Sequence, residues 1–290
     1  MAVGGRCPMG VSWLRQVVAA TDLSLYGSRA VGRAVRLGRL HGARVTSVCV
    51  VSPRLDTDLV EDVRTRLAGH ARQYAGAERV EVVVRSGRVS PTLVLEVERR
   101  GADLLVVGAH GVDRLADALL GTTPENLVRA SRAPVLVVRG SPDEDYRRVL
   151  LAVDTHEFSL AAARCGIALS PGAEHWAVHT CVAPGEHMLR MNGVSEQELT
   201  RLRQECLDEV RPRIERMVRA LPLPAGVRPL VTSGDPARTI PDLAGLHEAD
   251  LVVVGTGARS KLEHALLGSV AQHVMRRVLC DVLVVRGPGG

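Results

Sequence analysis

Near the middle of the chain, Gly108, Gly111, Gly121 and Thr122 fall in the spacing G-x2-G-x9-G-[ST]. Glycines let a backbone approach a phosphate closely and adopt positive φ. Thr123 has the chemistry of a helix N-cap, with Pro124 suited to the first helical position. A helix start that follows a glycine turn presents free N–H groups and a hydroxyl, which together hold an anion. Singly, each glycine is ordinary punctuation of an α/β fold. The combined spacing after the apolar run Leu104–Val107 carries the signal.

The pattern occurs twice. Residues 254–287 repeat residues 107–140 at a constant offset of 147, without gaps and with 14 of 34 positions identical. Gly255, Gly268 and Ser269 fill the corresponding places, but Ala258 stands at the second glycine. An alanine forced to positive φ costs about 1 kcal/mol, and its methyl group crowds a phosphate, so the first copy is expected to be the better site. Each half also opens with a similar run ending in aspartate, Val17–Asp22 and Val149–Asp154, here at an offset of 132. Asp22 and Asp154 either close a turn on their own backbone or face a ligand. The change of offset puts about fifteen extra residues in the second copy, most naturally within Val182–Thr200, which is rich in Gly, Pro and polar residues.

Other reactive side chains give less. His110, between two glycines, reads as a solvent-facing loop residue. His175, His179 and His187 lack the spacing that places two ligands and a carboxylate on one face, so no metal is expected. The six cysteines form no C-x-x-C; Cys49, Cys181 and Cys280 sit in apolar runs and read as small buried hydrophobes, as a reducing cytoplasm allows. Arg139 and Arg286 each follow a last strand and read as solvated ends, with a place near an inter-domain seam also open. There is no G-x-x-x-x-G-K-[ST], no G-x-S-x-G and no G-x-G-x-x-G after a strand. P-loop, serine-hydrolase and dinucleotide-dehydrogenase chemistry are therefore disfavoured.

The elements that position these residues alternate. The first copy reads as strand 17–22, helix 26–41, strand 44–51, helix 57–76, strand 79–85, helix 90–100, strand 103–108, helix 123–131 and strand 134–139. Its strands are continuous apolar runs, which is what strands covered on both faces require. The expectation is a parallel doubly wound α/β domain, made twice, with ligands at the carboxyl ends of the strands. Gly140–Asp145 is polar and separates the copies, giving domains 1–143 and 144–290. Apolar residues from Leu199 to Val218 recur every three or four positions, as in an amphipathic helix packed on a sheet.

The opening strand with its Asp, the Ala-Asp-Leu-x-Val-Val-Gly strand, G-x2-G-x9-G-[ST] and the closing Val-Leu-Val-Val strand together resemble the universal stress proteins, in two tandem copies over nearly the whole chain. The resemblance implies a Rossmann-like, adenine-nucleotide alpha hydrolase-like fold and ATP, with magnesium, as ligand. Gly108, Gly111, Gly121 and Thr122 would surround ribose and phosphates, with Asp22 and Val50 beside the base; Thr123 is added on helix-start chemistry. Asp154, Gly255, Gly268 and Ser269 are the counterparts. The resemblance also implies a stress-response module that signals or protects without catalysis. Its two copies would pair as an internal pseudo-dimer through Val135–Arg139 and Val282–Arg286, with a further homodimer and a protein partner as extensions. A module that binds no nucleotide and a slow ATPase are the alternatives.

The chain is 290 residues long with 46% hydrophobic and 24% charged residues, ordinary for a globular protein of about two domains. Aromatic residues are only 2%, which disfavours stacking on nucleic-acid bases. The formal charge is +5, with Lys261 the single lysine and acidic residues interspersed, so neither a nucleic-acid nor a membrane tail is expected. Arg15 interrupts the apolar run that begins at Val11, so a cytoplasmic protein without a secretory signal is expected.

Overall fold

The computed structural model describes residues 13–74, 80–110, 122–221, 226–256 and 267–286. Gly111, Gly121 and Ala258 lie outside the described residues.

The first copy contributes β1 (Gln16–Ala20), α1 (Leu25–His41), β2 (Arg44–Val51), α2 (Thr57–Tyr74), β3 (Val80–Ser86), α3 (Val89–Arg100), β4 (Leu104–Gly108), α4 (Thr122–Ala130) and β5 (Val135–Val138). The second contributes β6 (Arg148–Ala152), α5 (Glu157–Leu169), β7 (Glu174–Cys181), α6 (Glu186–Met191), α7 (Glu196–Arg219), β8 (Arg228–Ser233), α8 (Pro236–Leu246), β9 (Leu251–Gly255), α9 (Ser269–Arg277) and β10 (Asp281–Val285). The additional residues of the second copy include α6, between β7 and the long α7.

The strands form one sheet in the order β3-β2-β1-β4-β5-β10-β9-β6-β7-β8. Within each half every pairing is parallel. At the centre β5 and β10 pair antiparallel, with Val282 opposite Val137 and Val284 opposite Val135. This is the expected internal pseudo-dimer contact, and it covers two apolar edges that would otherwise stand exposed. Alternate strand residues feed the two faces. Val17, Ala19, Leu104 and Val106 join a layer with α1 and α5 that continues across both copies, whereas Val18, Leu105 and Val107 join the layer under α3, α4, α8 and α9. Full burial on both faces explains the unbroken apolar runs.

Local chemistry sets the helix ends. The Ser24 hydroxyl accepts from Gly27 N at the start of α1, and Ser195 with Glu198 forms a reciprocal capping box on α7. Gly87 and Gly234 hold φ of 152° and 140°, and a Cβ on either would lie 2.5 Å from a threonine hydroxyl, Thr92 or Thr239. Each is the turn from the third strand into the next helix, and only glycine fits both conditions.

Most element boundaries shift by one or two residues from the sequence reading, and two of these shifts bear on the site. β1 ends at Ala20, so Asp22 sits two residues beyond the strand. Helix α4 starts at Thr122, so Thr123 and Pro124 lie inside its first turn rather than at an N-cap and first position. Pro is tolerated there because first-turn N–H groups have no intrahelical partner.

Candidate functional site

The two copies superpose by register. Thr21 N donates to Val48 O, and Val153 N donates to Val178 O. Ala109 N donates to Val138 O, and Thr256 N to Val285 O. Val50 is therefore matched by Thr180, and Gly108 by Gly255.

In the second copy these positions line a crevice of about 530 Å³ at the carboxyl ends of β6, β7 and β9. Asp154, Thr180, Gly255, Gly268 and Ser269 all contribute to its wall. Its size is within the usual range for small-molecule sites. Gly268 precedes α9, and a Cβ there would stand 2.6 Å from Thr256 O. The glycine thus brings the helix start against the strand end, and the first N–H groups of α9 supply the partial positive charge of a helix N-terminus. Gly255 is less crowded, with its nearest neighbour, Phe158 O, at 3.7 Å.

The crevice also has polar walls that the sequence reading did not assign. The buried His179 bonds through Nδ1 to Val153 O at 2.8 Å. A carbonyl only accepts, so Nδ1 carries the proton. Asp154 accepts from His156 N at 2.8 Å through Oδ1, while Oδ2 is 3.2 Å from His156 Nδ1. Ser159 Oγ receives Asp154 N at 3.0 Å. Matching β7 to β2 at an offset of 130 residues is the signal that would have found Thr180 and His179.

In the first copy Asp22 is exposed, and its Oδ1 accepts from Ser24 N at 3.0 Å. Both aspartates therefore perform the turn-closing role. Val50 is half-buried on β2, and Thr122 opens α4 on the surface. Gly108 is tightly enclosed, since a Cβ would lie 2.7 Å from the Tyr26 backbone carbonyl. Cys49, at the position of His179, is buried; burial, aided by the charge of Asp22, pushes its thiol up to about 11.

Three expectations are corrected. His110 is buried, not solvent-facing, and packs edge-on against the Tyr26 ring at 4.9 Å, because the end of β4 runs directly under α1. Arg139 is a buried seam residue. Its N–H donates to Asp281 Oδ1 at 2.8 Å and its guanidinium to Met275 O, while Arg286 reaches Arg129 O and Ser131 O from the other side. Cys181 is not a plain buried hydrophobe, for it is disulfide-bonded to Cys206. The strand pattern shows a cysteine facing inward but not which helix residue meets it.

Among the described residues no group of three or more His, Cys, Asp or Glu is placed to hold a metal. His175 bonds Ser170 Oγ instead. No described helix is long and apolar enough to cross a membrane.

Comparison with known proteins gives one family. The model of the universal stress protein family matches residues 14–139 and again 145–286. The universal stress protein E homolog of Haemophilus influenzae is 27% identical over 255 residues, covering 79% of this chain and 77% of that protein. Universal stress protein E of Escherichia coli is 27% identical over 218 residues, covering 70% and 67%. Among solved structures, a putative universal stress protein from Pseudomonas aeruginosa has a TM-score of 0.64 at 18% identity, covering 96% of this chain and 95% of that one. A universal stress protein from Archaeoglobus fulgidus has a TM-score of 0.64 at 17% identity, covering 93% and 98%. These two structures share the fold of this chain.

Proposed function

Because this chain belongs to the universal stress protein family and carries its domain twice, we propose that it binds ATP at the carboxyl ends of its parallel strands and acts as a signalling or protective module in the stress response, without catalysis. The crevice of the second copy carries this reading: 530 Å³ in volume, it is lined by Asp154, Thr180, Gly255, Gly268 and Ser269. Its chemistry suits the ligand. The start of α9 with Ser269 and the glycine-held approach of Gly268 suit phosphates, and Thr180 with His179 offers polar atoms where a base would lie. Magnesium, when present, would offset phosphate charge. In the first copy the same role falls to Gly108 and Thr122, together with Gly111 and Gly121. Asp22 and Asp154 are engaged in turns, which suits positioning better than proton transfer.

The test is the nucleotide content of the protein purified without added nucleotide. After denaturation, anion-exchange chromatography against ATP, ADP and AMP is expected to give two adenine nucleotides per chain. Ser269→Asp keeps a good helix-start residue but sets a carboxylate against the phosphates, and is expected to reduce the count to one. No released nucleotide, followed by no calorimetric binding of Mg-ATP, would overturn the reading in favour of a pure interaction module. ATP turnover that disappears in Ser269→Asp would overturn its non-catalytic part.

A further inference from the structure

The Cys181–Cys206 disulfide closes a separation of 25 residues and ties the last residue of β7 to α7. Three observations place it at the crevice of the second copy. Cys181 directly follows His179 and Thr180, both of which line that crevice. Further along α7, Arg213 donates to Thr155 O at 3.2 Å, and Thr155 lines the crevice as well. The loop closed by the bond contains α6, whose Glu186 also pairs with Arg203 of α7. The first copy has no such bond: Val51 stands where Cys181 does, and α2 contains no cysteine. Cys206 is half-exposed and Cys181 is buried, so an external thiol or oxidant meets Cys206 first. Two other thiols, the buried Cys49 and the half-buried Cys280, suit redox exchange poorly, because desolvation pushes them up to about 11 and about 12.

We propose that Cys181 and Cys206 form a reversible thiol-oxidation site that fastens α7 and the α6 segment to the rim of the second crevice, and that its redox state sets how long a ligand stays there. With a small disulfide such as oxidised glutathione, the Cys206 thiolate attacks one sulfur and releases a glutathione thiolate. The Cys181 thiolate then attacks Cys206 Sγ and releases the second. The two cysteine protons end on two glutathione thiols, and the two electrons lost by the cysteines reduce the small disulfide. Dithiothreitol drives the reverse. Reduction leaves α7 held by the core packing of Ile214 and Val218, by the Glu186–Arg203 pair and by the Arg213 contact at the rim. The ligand part of this inference rests on the nucleotide reading above, whereas the tether part does not.

The experiment uses the full chain, incubated with oxidised glutathione or with dithiothreitol. It combines thiol alkylation with peptide mass mapping, hydrogen exchange, and the release rate of ATP. Mapping is expected to find Cys181 bonded to Cys206 in the first buffer and both alkylated in the second. Exchange within residues 181–206 is expected to be about tenfold faster after reduction, as for local opening of a tethered segment, with residues 44–57 of the first copy unchanged. ATP release from the second copy should quicken several-fold. Cys206→Ala, which keeps a good helix former, should behave as the reduced protein in both buffers. Equal exchange of residues 181–206 in the two mapped states overturns the proposal, as does a pair still fully alkylated after oxidation. A redox-dependent change in exchange with no ATP bound in either buffer would leave the tether standing and overturn the nucleotide reading.

Discussion

The same corner of the fold is built from opposite materials in the two copies. In the first, Thr46 of β2 lies opposite Glu81 of β3, and α3 adds Glu96 and Arg100. Arg100 donates to Glu96 at 2.6 Å and to Glu81 at 2.8 Å, while Arg85 donates to Glu96 at 2.9 Å. Burial pushes the Glu96 carboxyl up, but the bonds from Arg85 and Arg100 outweigh it and hold it below the usual carboxylate range. In the second copy the register opposite pair is Trp176 and Arg228, and His247 occupies the place of Arg100. There the Trp176 and His247 rings stand 5.5 Å apart, and the Arg228 guanidinium lies 5.7 Å from the Trp176 ring. The backbone lattice dictates that this corner be filled, and accepts either an ion cluster or an aromatic stack. Duplicated domains thus keep topology while exchanging the forces that hold it.

Matched positions make that contrast testable. The largest effect is expected at the seam, where Asp281 has no acidic counterpart because Pro134 occupies its place in the first copy. Asp281 is 1% exposed and accepts from Arg139 N, Gly140 N and Tyr146 OH, with Arg33 Nε at 3.2 Å. Asp281→Ala leaves the buried Arg33 uncompensated and should lower stability by about 3–5 kcal/mol in urea unfolding. Pro134→Ala should change the midpoint little.

A pH-dependent difference comes next. His175 is buried where the first copy has Val45, and burial lowers its pKa to about 4. The unfolded chain takes up the proton near pH 6.5 and the folded one only near pH 4, so stability is full above about pH 6.5 and falls by about 3 kcal/mol as the pH drops through that window. Urea midpoints from pH 7 to pH 4 should show this slope, and His175→Gln should flatten it. An unchanged slope would place the acid sensitivity elsewhere.

The corner itself gives a mid-sized effect. Glu96→Gln removes a buried charge from Arg85, Arg99 and Arg100, all at least partly solvated, for a loss of about 2 kcal/mol that shrinks in molar salt. Trp176→Leu should cost a similar amount without responding to salt. Smallest is the strand-end glycine. Gly108→Ala must displace the Tyr26 backbone and should cost about 1–2 kcal/mol, whereas Gly255→Ala, with 3.7 Å to its nearest neighbour, should leave the melting temperature almost unchanged.

What was legible in the sequence follows from what repeats. The resemblance to the universal stress proteins implied the strands at the seam, while Val-rich strands buried on both faces and the constant spacing from Gly108 to Gly140 and from Gly255 to Gly287 announced the duplicated α/β fold. These features depend on local periodicity. What escaped depends on contacts between distant residues found in one copy only. Cys206 meets Cys181 because α7 crosses behind β7, and nothing in either local pattern encodes that crossing. Asp281 looks like a strand-opening acid until the antiparallel seam brings Arg139, Gly140 and Tyr146 to it. His110 has the surroundings of a loop residue in sequence, but the close passage of Tyr26 over Gly108 encloses it.

The antiparallel meeting of β5 and β10 has a geometric outcome. Strands that run parallel within each half run in opposite directions across the seam, so the carboxyl ends of the two halves open on opposite rims of one continuous sheet. A flat partner pressed against one rim leaves the other mouth open to solvent. Two occupants would load without touching, and the routes by which one could influence the other run sideways, through the β5–β10 pairing and the contacts beside it, Arg139 to Met275 O and Arg276 to Glu125.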